Sequence, residues 1–115
     1  MTKITYCIGK YAKIKICGHA GAERVNGNDL CCAAESMLAY TLIDTINGLK
    51  LSKCDMRINS GYVYISFVLN SLRSVFALCA LKTIINGYLL LCTKYPDNVS
   101  VEKKKEVTCN EQIFN

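Results

Sequence analysis

The stretch Tyr11–Cys17, YAKIKIC, alternates strictly, with Ile14 and Ile16 set against Lys13 and Lys15. A period of two fits only an extended strand, because successive side chains there point to opposite faces of a sheet. One face is then apolar and needs a cover, and the other is expected to be wet. Residues 2–8, TKITYCI, are rich in β-branched and aromatic side chains and are separated from this strand only by Gly9-Lys10. So short a connection predicts a β-hairpin.

The rest of the chain supplies a second hairpin and two covers. Residues 18–28 hold three glycines and two asparagines and read as loop. Asp29 is a good N-cap for a helix, LCCAAESMLAYTLIDTIN, running to about Asn47, with Gly48 placed to end it in a left-handed conformation. Residues 50–58 and 62–69 read as strands around the turn Asn59-Ser60-Gly61. A helical pattern follows from Leu72 to Lys94, weakened inside by Asn86-Gly87 and ended by Pro96. Residues 99–107 form a last, edge-type strand, and 108–115 a frayed tail. The order β-β-α-β-β-α-β predicts an α+β fold: an antiparallel or mixed sheet built from two hairpins and a C-terminal edge strand, covered by two helices. At 115 residues this is a single domain over residues 1–107.

Eight cysteines in so short a chain suggest disulfides. The start, MTKITYCIGK, has no long apolar region and no cleavage signal, which argues against export. Most cysteines sit in apolar runs such as VFALCALK and YLLLCTK, where a free cysteine packs as a small hydrophobe. The expectation is a reduced, cytoplasmic protein. The apolar region Leu72–Cys92 is interrupted by Arg73, Lys82, Asn86 and Gly87, so it reads as a core helix rather than a membrane span. The net charge of +5 permits an anionic partner without requiring nucleic acid.

GHAGAERVNGNDLCCAAES, residues 18–36, contains the only histidine. A cysteine nucleophile must be a thiolate, and both a helix N-terminus and a nearby imidazolium lower a thiol's pKa. Cys31 and Cys32 fall at the helix start, where backbone N–H groups lack intrahelical acceptors. Gly18, Gly21 and Gly27 act as hinges that let the loop fold His19 back over it. At about 100° per residue, Cys31 joins Ala34, Leu38 and Leu42 on the apolar stripe, and Cys32 lies on the flank with Ser36 and Ile43. Cys31 reads as packing and Cys32 as the reachable thiol. Glu35 falls close to the apolar stripe and is ascribed to the favourable first turn. The same letters also fit a structural histidine beside unreactive cysteines. Three possible ligands without a fourth argue against zinc, and vicinal cysteines lack the CxxC spacing of redox proteins.

G-H-A after the second strand, a Gly-rich loop and D-x-x-C-A-A-x-S opening a helix resemble the ribosomal-processing cysteine protease family, Prp. GYVYIS and the long second helix extend the resemblance over about residues 2–105. It implies a cytoplasmic, homodimeric cysteine endopeptidase without cofactor or metal. Its substrate would be the N-terminal extension of a bacterial large-subunit ribosomal protein. Residue by residue it implies His19 as base, Cys32 as nucleophile, and Asp29 and Ser36 in support. Asp29 either caps the helix or orients the imidazole. Glu35 and a loop about one residue longer depart from the family pattern. The alternative reading is a non-catalytic ribosome- or RNA-associated binding module, although no RNA-binding signature is present.

Overall fold

The expected order of elements forms, in a computed structural model that describes residues 1–18 and 30–105. Its strands are β1 (Thr2–Ile8), β2 (Tyr11–Gly18), β3 (Cys54–Asn59), β4 (Tyr62–Val68) and β5 (Val99–Lys103). The helices are α1 (Leu30–Leu49) and α2 (Leu72–Lys94). The sheet order is β3-β4-β2-β1-β5. Two hairpins make its antiparallel part, and β5 runs parallel to β1. The parallel pair follows from α2, whose length carries the chain back across the sheet before β5 begins.

Register gathers the apolar face in rows. Ile4, Ile16, Val63 and Ile58 align across four strands, as do Tyr6, Ile14, Ile65 and Met56. Cys31, Leu42 and Ile46 of α1 and Ala77, Leu81, Ile84, Ile85 and Tyr88 of α2 join this face in one core cluster. α2 starts on a reciprocal cap: the Ser74 N–H donates to Ser71 Oγ at 3.2 Å and the Ser71 N–H to Ser74 Oγ at 3.0 Å. Gly87 is tolerated inside α2 because the helices meet there. A Cβ on Gly87 would lie 2.8 Å from Leu38 Cδ2 of α1.

Several local expectations are corrected. α1 continues through Gly48, and the left-handed residue is Lys50, at φ 52°. β3 begins at Cys54 rather than residue 50, because Cys54 already faces Phe67 near the end of β4 and an earlier start has no partner strand. β5 ends at Lys103, short of residue 107, and the tail 108–115 lies outside the described residues. Lys13 was expected on a wet face yet is buried; its ammonium lies 5.4 Å from the Tyr11 ring centroid, a cation–π contact that recovers part of its lost hydration. Cys7 is disulfide-bonded rather than reduced, and register places it opposite Lys13, on the sheet face away from the helices. Cys17, Cys31, Cys32, Cys54, Cys79 and Cys92 form no disulfide. α2 buries one face as a core helix does, while Leu72, Val75, Phe76, Leu89 and Leu90 stay exposed on its outer side.

Candidate active site

α1 begins at Leu30, so Cys31 and Cys32 are its second and third residues. Their N–H groups lie in the first turn, where no intrahelical acceptor exists. Cys31 points into the core and is 1% exposed, whereas Cys32 is half-buried. That difference is the 100° step between neighbours on a helix.

Cys32 lines a cleft of about 300 Å³. One wall is the flank of α1, with Cys32, Ser36, Ala39, Tyr40 and Ile43. The facing wall is the β3–β4 hairpin, residues 58–63, and Thr2, Ile16 and Gly18 supply the floor. The hairpin turn is tied to the end of β2, since the Gly18 N–H donates to the Gly61 carbonyl at 2.8 Å. Both glycines have positive φ, 98° at Gly18 and 68° at Gly61. Gly18 therefore ends β2 with its N–H bonded to the hairpin turn.

The structure brings Cys32, Ser36 and Gly18 to one cleft. His19, Asp29, Gly21 and Gly27 lie outside the described residues. Among the described residues no group of three His, Cys, Asp or Glu side chains stands close enough to hold a metal ion.

Glu35 is the lining residue that sequence reasoning placed least well. It is 7% exposed and lies in the second turn of α1, beyond the first-turn N–H groups invoked to tolerate it. Tyr88 of α2 donates its hydroxyl to the Glu35 carbonyl at 3.0 Å. Burial raises the Tyr88 pKa well above the ordinary tyrosine value, and the nearby Glu35 charge raises it further. Tyr40 had a visible signal, one turn beyond Ser36 on the same flank. The hairpin wall had none, because only tertiary pairing brings residues 58–63 opposite Cys32. Elsewhere, burial and then Asp55 raise the Cys54 pKa, which keeps that thiol protonated. Chemically, the site offers a reachable thiol at a helix start beside a largely apolar cleft.

The profile of one protein family, cysteine protease Prp, matches residues 1–106. No curated protein sequence matches the chain. Among solved structures, the essential ribosomal processing protease Prp from S. aureus, in complex with a covalently linked product peptide, is 21% identical. It has a TM-score of 0.75 and the match covers 90% of this chain and 100% of that one. The same protease in complex with a substrate peptide matches at 17% identity and TM-score 0.71, over 90% and 100% of the two chains. SMU.848 from Streptococcus mutans matches at 23% identity and TM-score 0.68, over 90% and 93%. At these identities the likeness is one of fold, including the mixed sheet and its two helices.

Proposed function

Because the chain belongs to the cysteine protease Prp family, we propose that it is an endopeptidase that removes the N-terminal extension of a bacterial large-subunit ribosomal protein. Cys32 is its nucleophile and His19 its base. The observation that carries this reading is the placement of Cys32 on the first turn of α1, opening onto the cleft while Cys31 turns inward. The covalently linked product peptide of the S. aureus protease supports a covalent step.

In this mechanism His19 takes the Cys32 proton and the thiolate attacks the scissile carbonyl. First-turn N–H groups of α1 stabilise the oxyanion. His19 then protonates the leaving amine, giving a thioester, and water activated by His19 releases the acid. Asp29 caps the helix start and Ser36 lines the cleft one turn on. The exposed apolar residues of α2 offer a face for a second copy, and the chain acts as a homodimer, which light scattering tests directly.

The deciding assay uses a peptide spanning the extended N-terminus of the ribosomal protein. Wild type and Cys31→Ala cleave it, while Cys32→Ala and His19→Ala do not. Turnover that survives Cys32→Ala but not Cys31→Ala refutes the assignment.

A further inference from the structure

The sheet face away from the helices is open at one end and closed at the other. Lys3 and Cys17, paired where β1 begins and β2 ends, are exposed. Cys7 and Lys13, paired near the other end of this face, are both 0% exposed, and Ser66 beside Lys13 is buried as well. The Thr5 hydroxyl, between the two ends, is shut off from solvent too. Both helices pack on the opposite face, so neither supplies this cover. Two stretches lie outside the described residues, 19–29 and 106–115. The first follows Gly18, at the open end of the face, and contains no cysteine. The second follows β5, which leaves the sheet at the closed end: the Lys104 N–H donates to the Tyr6 carbonyl at 2.7 Å, next to Cys7. Cys7 is disulfide-bonded. Of the eight cysteines, six form no disulfide, which leaves Cys109 as its partner.

We propose that residues 106–115 form a redox-dependent strap across the Cys7–Lys13–Ser66 row, fastened by a disulfide between Cys7 and Cys109. Cys109 stands far enough beyond Lys104 to span about 18 Å, more than the distance to be bridged requires. Charge favours the same placement. A lysine without solvent exposure is tolerated only in the company of opposite charge or acceptors. Asp55 and Glu102, the described acids of this face, meet Arg57 and Lys104. Glu106 and Glu111 give the strap the sign that suits Lys13 and Lys15. Fastening is an exchange with a small disulfide such as oxidised glutathione. One cysteine thiolate attacks it, forming a mixed disulfide and releasing one reduced glutathione. The second cysteine thiolate attacks the protein sulfur of that mixed disulfide and releases another. Two protein thiols are oxidised, one glutathione disulfide is reduced, and the two thiol protons end on the two glutathiones. A closed strap holds β5 on β1, and with it the Thr2–Asn98 bond at the cleft floor. The inference stands apart from the peptidase reading, because Cys32 takes no part in it.

The test uses the full chain equilibrated with oxidised glutathione, its remaining thiols blocked with N-ethylmaleimide, and then digested with trypsin. Mass spectrometry is expected to find residues 4–10 linked to residues 106–115, a product that dithiothreitol splits. Cys7 recovered in blocked form, or linked to any other cysteine, overturns the inference. Melting gives a second reading. Closing a loop of about 100 residues raises Tm by about 10 °C in the oxidised chain over the reduced one. Cys109→Ser melts at the reduced value in both buffers. Equal Tm for oxidised and reduced wild type overturns the strap even where the crosslink is found. Lys13 of the oxidised chain is expected to react with an amine-acylating reagent about tenfold or more slowly than Lys13 of reduced Cys109→Ser. Equal rates refute the placement over this row.

Discussion

Gly18→Ala is a severe test of how the cleft floor is held. Gly18 has φ 98°, in the region that L side chains rarely adopt. A residue with a Cβ there costs roughly 1–3 kcal/mol. The new Cβ would also collide with the Met1 carbonyl oxygen. That oxygen cannot simply swing away, because its peptide plane includes the Thr2 N–H, which donates to the Asn98 carbonyl at 2.9 Å. Relieving the clash therefore strains either this bond or the Gly18–Gly61 bond, at about 1 kcal/mol. Together the cost is about 3 kcal/mol, or a fall of roughly 10 °C in Tm for a domain of this size. Thermal melts followed by far-UV circular dichroism read the shift, and urea midpoints read the free energy. A Gly18→Ala protein melting within about 3 °C of wild type would show that neither the left-handed backbone nor the Met1 contact constrains this corner.

Two further substitutions probe the helices. Gly48→Ala removes a glycine from inside α1 where an added Cβ meets nothing within 4 Å, so stability rises by about 1 kcal/mol in the same urea titration. Tyr88→Phe loses the hydroxyl bond to the Glu35 carbonyl and lowers stability by about 1 kcal/mol at neutral pH. The folded-state pKa of Tyr88 lies above its ordinary value of 10.0, so its contribution is complete below pH 10 and is lost as pH rises beyond it. Urea midpoints between pH 8 and 11 accordingly fall less steeply in Tyr88→Phe than in wild type, and equal slopes would count against the buried hydroxyl.

Local pattern made most of the architecture legible. The Ile14/Ile16 alternation gives a strand, and the bounds of α2 follow from its apolar run between Ser71 and Pro96. The helix wheel separates Cys31 from Cys32, and their unequal burial follows from it. What failed depended on partners distant in sequence. β3 starts late because β4 offers no earlier partner, and Lys13 is buried although its local pattern predicts water. Gly48 carries the usual mark of a helix end, yet the helix passes through it and turns at Lys50. The hairpin wall opposite Cys32 was invisible for the same reason. Glu35 sits oddly on the helix wheel, but only the assembled cleft shows that it lines the α1 wall one turn from the thiol.

The pairing of β5 with β1 bears on when the protein can act. Thr2 is held by the Asn98 carbonyl, and β1 gains its second neighbour only from Val99 onward. A chain emerging from the ribosome N-terminus first presents Cys32 and both hairpins long before that strand. The floor of the cleft at Thr2 is then still without its anchor. A chain made only as far as α2 thus carries the thiol but not the finished groove, which delays competence until β5 has been made.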